Sequence, residues 1–252
     1  MHSAIGREFM EKTKYKYMGP SDQSQGRPQP PLEKPVDPST PLIDLPAPTE
    51  AEVKPIDLTT AFRERVSTRR YADKPLTLAE LSYLLWATQG VKQVTIRPAT
   101  LRTVPSAGSR HAFETFLLVN NVEGLKPGLY RYLAIPHKLV AVNMGGDVAE
   151  RVLTASGNQR FVVDGAVTFI WVAVVYRMYW RYHDRGYRYL LLDAGHVAEN
   201  LYLAVQAVDA GTCVVGAFDD EAIDAVVGAD GEDEFVIYMA GVGKLPKGAR
   251  PE

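Results

Sequence analysis

The segment RERVSTRRY, residues 63–71, places four arginines within eight positions of a chain whose formal net charge is −2. The arginines flank Ser67 and are Arg63, Arg65, Arg69 and Arg70. A guanidinium group matches the oxygens of a phosphate in a planar fork, and a serine hydroxyl adds a donor at short range. The segment could therefore hold a phosphorylated ligand, although a solvated, charged helix end would account for the same residues.

Two other stretches contain small residues whose backbone could lie close to a ligand. PSAGS, residues 105–109, reads as a tight turn before a strand, and VVGAF, residues 214–218, ends a strand at Gly216 and Ala217. Small side chains let a ligand approach the backbone closely. Each stretch taken alone is equally typical of an ordinary turn or strand-to-helix connection.

Familiar nucleotide and metal motifs are absent from the sequence. No GxGxxG motif opens a helix after a strand, no GxxxxGK(S/T) motif occurs, and GVGKLPKG at 241–248 lacks the third glycine and a following helix. The five histidines show no HExxH-type spacing, and Cys213 is the only cysteine. The sequence therefore predicts neither a Rossmann nor a P-loop site, and no metal site.

The composition is that of a globular protein. The chain has 252 residues, of which 46% are hydrophobic and 23% charged, and it carries no basic excess that would favour nucleic acid. The start, MHSAIGREFM, has no apolar signal-peptide core, and the longest apolar run, VTFIWVAVVY at 167–176, is too short to span a bilayer as a helix. We expect a cytoplasmic protein that binds neither nucleic acid nor membranes.

The chain divides into a proline-rich N-terminal arm, residues 1–56, and a compact domain, residues 57–252. Residues 19–55 hold more than half of all the prolines, which exclude a helix or a central strand there. We expect this part to be extended, either loose or draped over a surface. The preceding REFMEKTKYKY, residues 7–17, is expected to form a short helix.

Within the compact domain, helical and strand patterns alternate. This order predicts an α/β/α sandwich of the α+β class, with a mixed central sheet flanked by helices. Thr77 and Glu80 form a capping-box pair, and Gly211 is expected to close a long, largely buried helix. The predicted helices are 57–66, 77–90, 146–157, 188–211 and 219–228. The predicted strands are 113–121, a hairpin at 128–142, 167–176, 212–218 and 234–243.

Four stretches follow one another as they do in the nitroreductase family of flavoenzymes. They are RERVSTRRYADKPL, RTVPSAGSRHAFETFLLV, YRYLLLDAGHVAENLYLAVQAVDAGTCVVGAFDD and AGVGKLP. Over residues 57–246 the chain resembles that family, and most closely its SagB-type branch, whose best-known members oxidise azolines in peptide biosynthesis. The resemblance implies FMN as cofactor, NADH or NADPH as transient electron donor, and a homodimer with the FMN sites at the subunit interface.

By this resemblance, the arginine-rich segment holds the phosphate and ribityl end of FMN. Arg65 and Ser67 would bind that end, and Val66 would contribute backbone only. Arg69 would reach the pyrimidine edge, where a cation stabilises the negative charge left by two-electron reduction. The cofactor-binding residues implied are Arg65, Val66, Ser67, Arg69, Pro105, Ser106, Ala107, Ser109, Gly216, Ala217 and Lys244.

The same resemblance assigns the remaining stretches to the flavin ring and the phosphate. The turn 105–109 would line the flavin of the partner subunit, and Gly216 and Ala217 would offer a backbone N–H near flavin N5. Lys244 would complete the phosphate pocket from the last strand, with Lys247 as the alternative.

Arg181 and Tyr182 stand where azoline-oxidising relatives carry an adjacent lysine and tyrosine that act as acid and base. An arginine keeps its proton in proteins and cannot serve as a base, whereas Tyr182 could still relay a proton or position a substrate. Packing at a pocket rim or a dimer surface would also explain these side chains.

These features favour an FMN-dependent oxidoreductase that takes hydride from NAD(P)H and reduces an electron-poor acceptor, a nitroaromatic or a quinone. Both substrates would use the same flavin face in a ping-pong scheme, so no separate nucleotide domain is needed. Two alternatives stay open: an azoline dehydrogenase acting on a modified peptide, and a flavin-binding protein without turnover.

Overall fold

The structure is a computed structural model that describes residues 4–246 and 248. A seven-stranded sheet forms its centre, and a two-stranded hairpin lies apart from it. The strands are β1 (Leu42–Asp44), β2 (Val91–Val94), β3 (Thr100–Arg102), β4 (Phe113–Val119), β5 (Gly128–Leu133), β6 (Lys138–Asn143), β7 (Val167–Val174), β8 (Ala210–Val215) and β9 (Glu234–Lys244). The α-helices are α1 (Ala4–Lys12), α2 (Leu58–Glu64), α3 (Leu78–Gln89), α4 (Val148–Ala155), α5 (Phe161–Asp164), α6 (Val175–Tyr182), α7 (Gly186–Ala204) and α8 (Asp220–Val227).

The strand order is β1-β6-β5-β4-β7-β9-β8, and every neighbouring pair is antiparallel. The α+β class and the helix-covered sheet are confirmed, but the named strands form an antiparallel rather than a mixed sheet. The reason is that β9 inserts between β7 and β8, which run in the same direction and would otherwise pair in parallel. Parallel contacts among the described residues are confined to isolated bridges, one of which joins Ser67 to Thr212.

Strand β7 lies at the middle of the molecule, as its unbroken apolar sequence predicts. Phe169 and Trp171 face one layer, which contains α3 and α7. Ile170 and Val172 face the other, which contains α4 and α8. The strand ends at Val174, two residues before the predicted boundary.

The helix boundaries follow their capping residues. Thr77 accepts from the backbone N–H of Glu80, and the Glu80 side chain accepts from that of Thr77, so the predicted capping box is confirmed. The prediction that Gly211 closes the long helix was wrong. Helix α7 ends at Ala204, and a 3-10 turn leads to Asp209, whose left-handed conformation (φ 51°) redirects the chain into β8.

Helix α7 is also less buried than its composition predicts. Leu191 and Leu192 are 59% and 60% exposed on the surface of the monomer. Leu190, Ala194 and Leu201 are buried against the α3 layer. An apolar helix face that stays in water is unfavourable, and such patches are typical of interaction surfaces.

The proline-rich arm is draped over the domain, one of the two states expected for it. Its backbone accepts hydrogen bonds from buried arginines, Arg177 to Pro31 O and Arg131 to Pro35 O. The arm also supplies β1, which pairs with β6 at the edge of the sheet, where proline-rich sequence is tolerated.

Candidate functional site

The arginine-rich segment leaves α2 and runs in an extended conformation beside β8. Asp57 caps the start of α2 by accepting from Thr60 N at 3.0 Å, and the helix ends before Arg65. Thr68 N then donates to Thr212 O at 2.8 Å. Alternate residues of an extended chain point the same way, so the spacing of Arg65, Ser67 and Arg69 directs the three side chains to one side.

This segment lines an open cleft of about 1050 Å³. Arg65, Val66, Ser67 and Arg69, all predicted to bind the cofactor, contribute to its wall. Tyr202 at the end of α7 is another lining residue. The volume lies just above the usual range of small-molecule sites, about 300–1,000 Å³.

Aromatic rings support the two central arginines of the cleft. The guanidinium carbon of Arg65 lies 5.1 Å from the centre of the Tyr202 ring, and that of Arg69 lies 5.6 Å from the centre of Phe161. Neither arginine forms an ion pair with a carboxylate of the described residues. The cleft therefore presents positive charge that is held in place and open to an anionic ligand.

A hydrogen-bond chain ties Ser67 to the sheet. The hydroxyl oxygens of Ser67 and Tyr202 are 2.8 Å apart, and Val214 N donates to the Tyr202 hydroxyl at 3.3 Å. Gly211 is required here, because a Cβ at that position would lie 2.5 Å from Thr68 Oγ1. This close contact lets the segment lie flat against β8.

The structure does not bring Lys244 into the cleft. Its ammonium group contacts Glu80 Oε1 at 2.5 Å and donates to Val208 O at 2.7 Å. Both side chains of this ion pair are mostly buried, with 16% and 14% exposed. The structure thus places Lys244 apart from the residues expected to share a phosphate pocket with it, with two of its three donors used within the fold. The alternative, Lys247, lies outside the described residues.

Gly216 and Ala217 lie in the exposed loop that follows β8. Neither backbone N–H donates to an acceptor within residues 4–246. Gly216 is four residues beyond Thr212, or about 13 Å at about 3.3 Å per residue. Because the segment at 65–69 runs parallel to β8, Arg69 lies nearer to this loop than Arg65 does.

The turn 105–109 lies away from the cleft, against α7. Ala107 N donates to Asp193 Oδ1 at 3.2 Å, and His111 N donates to Ser106 Oγ at 2.9 Å. Gly108 and Ser109 adopt positive φ angles of 57° and 54°, which make the turn sharp. The turn and the cleft of one chain thus form two separate surfaces.

Arg181 and Tyr182, at the end of α6, meet this turn in the same chain. A Cβ on Gly108 would lie 2.5 Å from Tyr182 Oη and 3.0 Å from Arg181 Nε. The Tyr182 ring packs edge-on against Tyr189, with the ring centres 4.7 Å apart. The structure therefore groups Arg181 and Tyr182 with the turn at 105–109 and not with Arg65.

Two titratable groups near the turn have pKa values moved by burial. Burial raises the pKa of the Asp193 carboxyl, and its Oδ2 atom has no partner in the described part of the chain. Burial, assisted by the nearby positive charge of Arg102, lowers the pKa of His111 to about 3. With this pKa His111 stays uncharged near neutral pH, so it adds no positive charge beside Arg102 and Arg110.

Sequence reasoning missed three residues of these surfaces: Tyr202, Asp193 and Arg110. Tyr202 and Asp193 sit in a helical pattern where each reads as a core or surface position. Their roles come from strands and turns far away in sequence, and no local signal marks them.

Residues 4–246 and 248 contain no cluster of His, Cys, Asp and Glu that could hold a metal ion. None of their helices is long and apolar enough to cross a membrane.

The sheet, its two helical layers and the arginine-lined cleft define an α+β protein of the nitroreductase fold. The profile of the nitroreductase family matches residues 62–244, and the chain belongs to this family. MJ1384 of Methanocaldococcus jannaschii, a proposed nitroreductase, is 34% identical over 176 residues, which cover 70% of this chain and 86% of that protein.

Two further relatives extend the comparison. A proposed nitroreductase of Anabaena variabilis has a crystal structure that matches with a TM-score of 0.69 and 27% identity, over 85% of this chain and 43% of that one. The trifolitoxin-processing protein TfxB of Rhizobium leguminosarum is 28% identical over 134 residues, which are 50% of this chain and 35% of TfxB. The chain thus spans less than half of the length of these two relatives. The likeness to TfxB supports the SagB-type branch.

Proposed function

We propose that this protein is an FMN-dependent oxidoreductase that takes electrons from NADH or NADPH and reduces an electron-poor acceptor, a nitroaromatic or a quinone. One observation carries the proposal: Arg65 and Arg69, without carboxylate partners in the described chain, line one cleft with Ser67 in a nitroreductase-family protein. When bound, FMN supplies two-electron hydride chemistry.

The residues of the cleft suit the two ends of FMN. Arg65 and the Ser67 hydroxyl would hold the phosphate, because a guanidinium fork and a hydroxyl match its oxygens. Arg69 lies further along β8 and would place its charge against the pyrimidine edge. The N–H groups of Gly216 and Ala217, which have no acceptor in the described part of the chain, lie beyond it, where they could donate to the ring.

The same geometry supports a homodimer with two composite sites. The turn 105–109 lies away from the cleft of its own chain, so it could line a flavin only in a second subunit. Leu191 and Leu192 form an exposed apolar face on α7, the helix against which this turn packs. We expect the double substitution Leu191→Lys with Leu192→Lys to yield monomers that bind FMN poorly, as seen by light scattering and flavin absorbance. A monomer with full flavin content would refute the composite site.

The activity is tested with the purified protein under anaerobic conditions. We expect a flavin spectrum that bleaches on addition of NADH or NADPH and returns when a nitroaromatic or a quinone is added. Protein that stays colourless after incubation with FMN would refute cofactor binding. A bound flavin that stays oxidised with both donors would instead indicate flavin binding without turnover.

A second candidate, an azoline dehydrogenase that acts on a modified peptide, is favoured by the likeness to TfxB, a protein named for trifolitoxin processing. In that reaction Tyr182 would move the proton, since Arg181 cannot act as a base. The test compares wild type with Tyr182→Phe on azoline-containing peptides. Oxidation by the wild type that is lost in the variant would support this candidate, and no oxidation by either would exclude it for these peptides.

A further inference from the structure

Two guanidinium groups and a phenol converge on the backbone of Gly108. Arg110 Nε donates to Gly108 O at 3.2 Å. On the α6 side, Arg181 Nε and Tyr182 Oη lie 3.0 and 2.5 Å from the point that a Cβ of Gly108 would occupy. The absence of a side chain at Gly108 therefore leaves room for these groups around one backbone position.

Arg110 and Arg181 lack an acidic partner among the residues that the structure describes. No carboxylate of residues 4–246 lies within ion-pairing distance of Arg110 or Arg181, and the exposed Arg97 adds a third positive charge nearby. Asp193 contacts the same turn, but its oxygen accepts from Ala107 N. Burial, and next the charge of Arg181, lower the pKa of Arg110. Like charges held together without a counter-ion are unfavourable, and an anionic ligand would relieve this cost.

The cluster is held in place by the fold. Arg110 is only 7% exposed, and its guanidinium carbon lies 5.2 Å from the centre of the Trp180 ring. The Trp180 indole N–H donates to Arg27 O at 3.0 Å, so the ring against which Arg110 packs is itself held in place. Apart from the bond to Gly108, the guanidinium N–H groups of Arg110 and Arg181 make no hydrogen bond within the described chain. They are available as forked donors.

We propose that Arg110 and Arg181 form a subsite for an anionic group, a phosphate or a carboxylate, on the substrate that approaches Tyr182. The inference deepens the proposed function and rests on it for the identity of that substrate. The anion has two candidate sources in that reaction, the 2′-phosphate of NADPH and a carboxylate on the acceptor. Both present oxygens that a guanidinium fork binds.

Anion binding is tested without turnover, through tryptophan fluorescence, to which Trp180 beside Arg110 contributes. Titration of the purified protein with inorganic phosphate or benzoate should give a saturable change in tryptophan fluorescence. Arg181→Gln should weaken this binding about tenfold or more, because a charge-assisted contact is lost. The change should persist in Arg65→Gln, which removes the competing cleft, and in Arg151→Gln on α4, an exposed arginine in the opposite helical layer. No change in the wild type, or equal affinity in Arg181→Gln, overturns the subsite.

Steady-state kinetics of the flavin-loaded protein then identify the source of the anion. A rise in KM for NADPH but not NADH in Arg181→Gln assigns the donor phosphate. A rise in KM for 4-nitrobenzoate but not its methyl ester assigns the acceptor carboxylate. Unchanged KM values for all four, with turnover intact, overturn the subsite and leave the proposed function standing. If the wild-type protein binds no flavin, the proposed function is refuted. The fluorescence titration still decides whether the anion subsite exists.

Discussion

Replacing Arg65 by glutamine should distinguish the contribution of the FMN phosphate to binding from that of the flavin ring. The substitution keeps hydrogen-bonding atoms and removes the charge. Arg65 has no acidic partner in residues 4–246, so its loss leaves no buried carboxylate unpaired and the fold should be retained. Riboflavin is FMN without the phosphate, and it supplies the matched ligand. We therefore expect Arg65→Gln to weaken FMN binding and to leave riboflavin binding nearly unchanged.

The size of the effect follows from the geometry. Arg65 is partly exposed, and its guanidinium carbon lies 5.1 Å from the centre of the Tyr202 ring. This contact orders the side chain before the ligand binds, which lowers the entropy cost of binding. A hydrogen bond to a charged group contributes about 1.5–3 kcal/mol. With 1.4 kcal/mol for each factor of ten, the Kd for FMN should rise by about 10- to 100-fold. High salt should shrink the difference, because the cleft is open to screening.

The assay is a titration of flavin fluorescence with apoprotein, for FMN and riboflavin in parallel. Arg69→Gln should weaken both ligands, since Arg69 is assigned to the ring, and Arg151→Gln should weaken neither. Equal losses for FMN and riboflavin in Arg65→Gln would refute the assignment of Arg65 to the phosphate. An unchanged Kd for FMN would refute the site at 65–69 altogether.

Three further substitutions test the structure itself. Lys244→Gln should lower the free energy of unfolding, measured in urea, by about 1–3 kcal/mol through loss of a mostly buried ion pair, with FMN affinity retained. Weaker FMN binding with an unchanged free energy of unfolding would contradict this. His111, with its pKa lowered to about 3, stays neutral in the fold while the unfolded chain takes up a proton below pH 6.5, so stability should fall as pH drops from 6.5 toward 3. His111→Asn, which tolerates the φ of 43°, should flatten that fall in urea titrations across this range, and an equally steep fall would count against the buried neutral state. Gly108→Ala should lower the free energy of unfolding by about 1–3 kcal/mol, because Gly108 has a φ of 57° and the new methyl group would clash with Tyr182. Gly195→Ala, with open space around the new methyl group, is the control in thermal unfolding. Equal Tm values for the two variants would argue against the close contact at Gly108.

Local sequence signals predicted most of the helices and strands. Thr77 with Glu80 set the start of α3, and Asp57 set the start of α2, because caps satisfy backbone groups within a few residues. The unbroken apolar run predicted β7 as a buried strand. The end of α7 was missed, since Asp209 in a left-handed conformation, not a glycine, makes the turn.

The candidate site was predictable only in its chemistry. The arginines and the serine of residues 65–69 predicted an anion-binding segment, which is a local property of the sequence. Their extended conformation was not predicted, since the helix was expected to continue to residue 66 and ends at Glu64. The ion pair of Lys244 was not predictable, because the local sequence shows only a cation at the end of a strand. Its partner Glu80 lies on α3, far away in sequence, and only folding brings the two charges together.

The sequence by itself determined the family, the alternation of helices and strands, and the residues able to bind a phosphate. Periodicity, caps and side-chain chemistry are short-range properties, so the local sequence is enough to identify them. The tertiary structure alone decided which groups share a surface. It set Arg65, Ser67 and Arg69 along β8, and it turned Arg181 and Tyr182 toward the turn at 105–109 instead. Strand order and helix packing make those choices, since they depend on contacts between segments that no local pattern encodes.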